Sequence, residues 1–283
     1  MAKHRGLFTD KTIERRIKEG RGFGERDKYL PWITIRDLSS LGRCSEISGW
    51  KTNSRVHQLL SDLETKYFYI LEFTSEITDI REQFPLLDED KSISETLQIA
   101  ESIGVKYPTI PKIGTKNVQT TDFLITLNIN GKTELKARTI KYSKDLSDRR
   151  VIEKFEIERI FWTNRGIDWK IVTEKDIDSA FSFNVEFIHN AYFLRGSNFD
   201  FEKIIYVEDA LRKDLLSEPK NLSKLTEVID MKLGLIPGDS LFCIKYLIAN
   251  KYWLIDMLKP INTDKIFVVK EFKNLTTNKE VAI

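Results

Sequence analysis

Three places in the chain could do chemistry together. Glu64 sits on an amphipathic stretch, Asp122 opens an apolar strand pattern, and Glu134-Leu135-Lys136 follows an Asn-Gly turn signal. Carboxylates of this kind hold a hard divalent cation, and a lysine beside them orients or activates an attacking water. That combination suits metal-dependent cleavage of a phosphodiester. An acid and an acid-x-lysine pair occur by chance in many charged proteins, so the surrounding elements must carry the rest.

Glu64 falls in a stretch that reads as a helix over residues 54–72, capped by Ser54. Val56, Leu59, Leu60, Leu63, Tyr67, Ile70 and Leu71 recur there at spacings of three and four. On that periodicity Glu64 lies at the edge of the apolar stripe, where a solvated helix glutamate is the commoner case. Asp122 lies in Thr121–Leu127, strand-like, and Asn130-Gly131 signals a hairpin whose return is Thr133–Arg138. Glu134 and Lys136 share a face because strand side chains alternate. A plain two-residue turn pairs Ile129 with Lys132, which puts Asp122 on the opposite face from both. A shared face therefore demands an odd loop or a bulge, and such an irregularity is the expectation.

Other elements frame these. A short helix ends at Gly20 in the basic stretch Glu14–Gly22, and Trp32–Ile35 reads as β-like after Pro31. Ile77–Leu87 looks like a strand turning at Pro85. Residues 88–118 form a long polar connection with a short helix near 94–103. Residues 147–164 are helical again and Trp169–Val172 is a strand. The expected architecture is α/β, a mixed sheet flanked by helices.

After about residue 175 the character changes. Residues 200–216 and 221–235 read as helices. A third runs from Asp239 or Ser240 to about Asn250, and strands follow at 251–255 and 265–270. Helix, turn, helix, then a β-ribbon is the order of a winged helix; a small helical bundle for protein contacts fits as well. The expected domains are 1–175 and 176–283.

The 283 residues carry a net charge of +2. Residues 1–60 hold 13 Lys and Arg against 7 Asp and Glu, whereas residues 176–283 hold 14 against 16. A basic N-terminal arm on a near-neutral body is compatible with phosphate contact, and equally with a solvated surface. No apolar run reaches the roughly 18 residues of a membrane span, and the N-terminus lacks a secretory h-region. Cys44 and Cys243 stand far apart without CxxC spacing, and His4, His57 and His189 are scattered. Reduced cysteines in a cytoplasmic protein without a zinc site are expected.

Several blocks resemble the TnsA family, the endonuclease subunits of heteromeric cut-and-paste transposases. They are Arg15–Gly22, Pro31-Trp32, Leu59–Glu64, Asp79–Leu86, Thr121-Asp122-Phe123 and Glu156-x-Glu158-Arg159. The resemblance covers most of residues 10–175 and is weaker beyond. It implies a restriction-endonuclease-like catalytic fold followed by a winged-helix-like domain for partner and DNA binding. It also implies a site of Glu64, Asp122 and Lys136. Glu134 stands where glutamine is frequent in the family and adds a metal-binding carboxylate, while Thr121 replaces the proline of many wider relatives. Glu158 matches a supporting helix glutamate.

The chemistry so implied has Asp122 bridging two Mg²⁺ ions, replaceable by Mn²⁺, with Glu64 and Glu134 completing their shells and Lys136 beside the attacking water. Arg81 and Gln83 would position the DNA backbone or serve structural hydrogen bonds. The implied reaction is cleavage at the 5′ ends of a transposon. The implied partners are transposon-end DNA, a TnsB-like DDE transposase and a TnsC-like AAA+ ATPase regulator. A non-catalytic module bridging those partners, and a stand-alone nuclease, are the competing readings.

Overall fold

Alternating apolar residues and one tight turn build the sheet that carries the candidate site. The computed structural model describes residues 10–37, 43–109 and 114–275. It divides into two units, residues 1–177 and 178–283.

The first unit runs α1 (Asp10–Lys18), β1 (Ser45–Ser48), β2 (Val56–Leu59), α2 (Asp62–Phe73), β3 (Ile77–Pro85), α3 (Ser94–Ser102), β4 (Thr120–Ile129), β5 (Lys132–Ile140), α4 (Arg149–Asn164) and β6 (Asp168–Val172). Strands β3-β4-β5-β6 form one mixed sheet. The first two pairings are antiparallel and the last, β5 with β6, is parallel. The parallel step needs a crossover, and α4 supplies it. Leu124 of β4 and Ala137 of β5 pack with Ile99, Ile157, Phe161 and Trp162 of α3 and α4. Phe123, one residue away on β4, meets the Tyr67 ring of α2. Strand alternation thus puts α3 and α4 on one face and α2 on the other.

Three expectations change here. The 54–72 helix is split: Val56–Leu59 is a strand paired with β1, and α2 starts at Asp62 with Ser61 as its cap. Ser54 instead lies in the β1–β2 turn at φ +63. Val56, Leu59 and Leu60 satisfy a helical period, but the cross-strand partner and the Ser61-x-x-Glu64 capping box decide otherwise. Trp32–Ile35 forms no strand; Ile35–Asp37 is a turn of 3₁₀ helix. The β4–β5 hairpin is clean. Ile129 pairs with Lys132, and Asn130 (φ +52) and Gly131 (φ +80) are both left-handed, as a two-residue turn of this hand requires.

The second unit runs α5 (Ser179–Ile188), α6 (Phe201–Ser217), α7 (Leu222–Leu233), α8 (Asp239–Ala249), β7 (Trp253–Leu254) and β8 (Glu271–Phe272). Helix α5 had no expectation attached to it. Gly238, not Asp239 or Ser240, takes the cap position of α8, while the Asp230 carboxylate accepts from Gly238 N and Ser240 N at 2.7 and 2.9 Å. Residues 265–270 are not a strand. The partner of Trp253-Leu254 is Glu271-Phe272.

Leu124 is 2% exposed in the α3–α4 face of the sheet. Leu124→Ala should lower the unfolding free energy by roughly 2–5 kcal/mol, read as a lower urea midpoint.

Candidate active site

Glu64 reaches its place through helix capping. It is the third residue of α2, and its amide donates to Ser61 Oγ at 3.2 Å. Its carboxylate turns back to accept from Leu60 N and Ser61 Oγ, both at 2.9 Å. This reciprocal pattern holds the side chain at the helix start, where it is 7% exposed.

Gln83 and Asp122 reach theirs through a break in the sheet. On β4, Phe123 faces α2, yet Thr121, two residues away, faces α4: its hydroxyl donates to Glu158 at 2.6 Å and accepts from Trp162 Nε1 at 2.6 Å. On β3, Glu82 faces the α2 side, where it meets His57, whose ring lies 4.6 Å from that of Phe68. Phe84, two residues on, packs against Trp162 of α4. Two residues on one strand should share a face, so alternation fails on both strands at the same level. Glu82↔Phe123 and Phe84↔Thr121 pair across the gap, and Gln83 and Asp122 lie between them. Gln83 has φ +50, a conformation that costs a non-glycine residue on the order of 1 kcal/mol or more.

The break brings three side chains together. Gln83 Nε2 donates to Glu64 Oε2 at 3.2 Å, and the Gln83 side chain lies near enough to Asp122 to favour its charged form. Asp122 Oδ2 accepts from Ile140 N at 2.6 Å. Burial pushes the Glu64 carboxyl up to about 8, and the charge of Asp122 pushes in the same direction. Burial raises Asp122 to about 6, against the opposing pull of Ile140 N–H, Gln83 and the Lys141 charge. Glu158 stands behind them. It is raised to about 7 by burial, with the hydroxyls of Thr121 and Thr139 bonded to it and Asp122 adding repulsion.

Glu134 and Lys136 are not brought to this cluster, which corrects the expected triad. Lys136 pairs with Ile125 and Glu134 with Leu127, three and five residues along β4 from Asp122. At the rise of a strand these are about 10 and 17 Å away. Lys136 lies opposite Asp168 on β6, whose carboxylate feels its charge. The cation whose charge reaches Asp122 is Lys141, next to the Ile140 amide that holds Asp122; its Nζ lies 3.6 Å from Asp145. Hairpin symmetry held the signal. The mirror position of Asp122 across Asn130-Gly131 is Thr139, and the first basic residue beyond that level is Lys141, just past the end of β5. Arg81 points elsewhere: it donates to Thr126 Oγ1 at 3.1 Å, lies 3.5 Å from Asp79 and covers the Phe84 ring.

The donor set fits a hard divalent cation. Burial raises both carboxyl groups, Asp122 adds repulsion at Glu64, and a cation between them would favour their charged forms. Mg²⁺ is commonly held by one or two carboxylates, with waters and substrate phosphate oxygens filling its shell. Among the described residues no group of three or more acidic, His or Cys side chains is arranged for a metal ion. The expected two-ion arrangement, with Glu134 in the shell, therefore lacks its third carboxylate.

Comparison with known proteins agrees over both units. Residues 74–174 match the family described as TnsA-like endonuclease N terminal, and residues 176–257 match TnsA endonuclease C terminal. The chain is 36% identical over 265 residues to the Transposon Tn7 transposition protein TnsA of Escherichia coli, covering 94% of this chain and 93% of that one.

Raised carboxyl groups bind more protons in the folded state than in the unfolded one between about pH 4 and 8. Stability should then fall as pH rises through that window. Without divalent metal, Asp122→Asn should be more stable than wild type at pH 8 by on the order of 1 kcal/mol, and the gap should close at pH 4. Urea melts at both pH values read this out.

Proposed function

The chain belongs to the TnsA endonuclease family, and on that premise we propose that it is a divalent-metal-dependent DNA endonuclease cutting at the 5′ ends of a transposon. The observation that carries this reading is the meeting of Glu64 and Asp122 under the Gln83 amide, with Lys141 alongside.

Glu64 and Asp122 hold the cation, Mg²⁺ or its substitute Mn²⁺. When bound, that ion supplies Lewis-acid polarisation of the phosphate and a lowered pKa for the attacking water. The Ile140 N–H and the Ser61 and Leu60 donors orient the two carboxylates toward it. Lys141, just past the end of β5, has its charge within reach of Asp122 and offers a point charge to the developing charge on phosphorus-bound oxygen, or takes a proton from the water. Glu158 supports Asp122 from behind, through Thr121 and Thr139, without touching DNA. Gln83 sets the distance between the two ligands.

The first unit is on this reading a restriction-endonuclease-like catalytic domain, and the second a winged-helix-like domain. The order α6, α7, α8, then the β7–β8 ribbon supports the second assignment. That domain docks an AAA+ ATPase regulator of TnsC type and contacts DNA, while a DDE transposase of TnsB type cuts and joins the 3′ ends. The protein works in the cytoplasm; no helix among the described residues is long and apolar enough to cross a membrane.

The test is strand-resolved cleavage of end-labelled transposon-end DNA in Mg²⁺, with and without the transposase and ATPase. Asp122→Ala should lose the 5′ nick entirely, and Lys141→Ala should lose roughly 10²-fold or more. Lys136→Ala and Glu134→Ala should cut like wild type. Cleavage unchanged in Asp122→Ala removes that residue from the mechanism. No 5′ nick in any mixture moves the protein to a non-catalytic bridging role.

A further inference from the structure

Gln83 is the pivot of the site, and its backbone does not hold itself. A glutamine at φ +50 in the last turns of a strand relaxes to an extended conformation unless its neighbours prevent it. The surroundings of Glu82 and Gln83 show what prevents it. Tyr29 Oη donates to the Glu82 carbonyl at 2.9 Å, and Trp32 N–H donates to the Gln83 carbonyl at 3.2 Å. Peptide groups on both sides of the pivot are therefore pinned.

The Glu82 side chain is pinned as well. Its carboxylate accepts from Arg55 Nη1 at 2.7 Å and Nη2 at 2.8 Å, from Gln58 N at 3.2 Å, and faces His57 Nδ1 at 2.7 Å. Burial disfavours the charged carboxylate, but His57 and the Arg55 guanidinium hold its pKa well below the usual range. Arg55 also ties itself to the Ile80 carbonyl at 2.7 Å and the Arg26 carbonyl at 2.9 Å.

Thr52 Oγ1 lies 2.8 Å from His57 Nε2, so Thr52, His57 and Glu82 have the spacing of a nucleophile, base and orienting acid. All three are fully buried, and no substrate reaches them. Their placement serves the pivot.

We propose that Tyr29, Trp32, Arg55 and His57 are positioning residues that hold Glu82 and Gln83 in the kinked conformation and thereby set the distance between Glu64 and Asp122. The inference rests on the metal-site reading above. All four residues precede residue 74, where the match to the N-terminal family begins. If the clamp loosens, Gln83 turns away, the two carboxylates separate or repel freely, and the ion is held less well while the sheet stays folded.

Tyr29→Phe is the cleanest probe, because it removes one hydroxyl and keeps the ring. Tyr107→Phe is its matched control: it removes a buried hydroxyl bonded to the Asn117 carbonyl at 3.0 Å and to Thr96, neither of which belongs to the kink. The full-length protein is titrated with Mn²⁺ by calorimetry. Steady-state kcat and KM are measured on transposon-end DNA with both partner proteins present.

Tyr29→Phe should weaken Mn²⁺ binding and lower kcat by roughly tenfold each, the usual effect of removing an outer-shell partner, with KM for DNA unchanged. Tyr107→Phe should change neither constant although it lowers Tm. Glu82→Gln, checked for folding by circular dichroism, should move the same two constants further. A lowered Tm in Tyr29→Phe with both constants at wild-type values overturns the clamp and leaves the metal site standing. Mn²⁺ binding that survives Asp122→Ala overturns the metal site itself, and the clamp with it.

Discussion

Two carboxylates brought together out of water are the constraint around which the first unit is arranged. Glu64 and Asp122 each resist ionisation there, chiefly because burial strips solvent from them and, for Glu64, because the other is near. Left to themselves they would part. Donors come from three separate segments: Leu60 and Ser61 at the start of α2, Gln83 on β3, and Ile140 at the end of β5. The fold thus sets up a charge arrangement that weakens it, and a cation bound there would relieve that cost. Stability and function pull in opposite directions at this point, as they commonly do at sites of chemistry.

The second constraint follows from the first. A regular sheet sends neighbouring side chains to opposite faces, so Gln83 and Asp122 at regular positions would lie under α4, away from Glu64. The paired break in β3 and β4 turns them toward it. The same break turns Thr121 toward Glu158, which ties the far side of the kink to α4 through two threonine hydroxyls and the Trp162 ring nitrogen. Irregularity in one strand is matched by irregularity in the other, and Gln83, Asp122, Thr121 and Glu158 at the break are all hydrogen-bonded. A bulge with that much support is a built feature of the sheet.

The second unit is organised differently. Helices α5, α6 and α7 are capped by Asp178, Asp200 and Asn221, each accepting from a backbone amide of the first turn. Its largest buried ring, Trp253, donates to Glu208 at 3.1 Å, and the Asn184 amide donates to the carbonyls of Met257 and Lys259. These groups serve packing and loop shape. The candidate chemistry lies entirely in the first unit.

Local signals sufficed for much of this. Asn130-Gly131 determined the hairpin, but its register is the plain one and not the odd loop or bulge expected, because two left-handed residues in a two-residue turn leave one way to pair the flanks. The periodicity of 149–164 and 201–217 and the blocks shared with TnsA determined helices and family. The same blocks singled out Glu64 and Asp122, which the structure brings near each other. Val56–Leu60 was not legible, because a short apolar run fits a helix or a strand until a partner strand is known. The lysine was misplaced because an acid-x-lysine motif is a statement about neighbours in sequence, whereas the cation facing Asp122 is chosen by how far β5 runs past the turn. Only the tertiary structure decided that the Lys141 charge reaches Asp122, and that Gln83 leaves the regular strand between the two acids. The kink is paid for by contacts from residues 29–58, which are distant in sequence, and no local pattern encodes a conformation that distant residues impose.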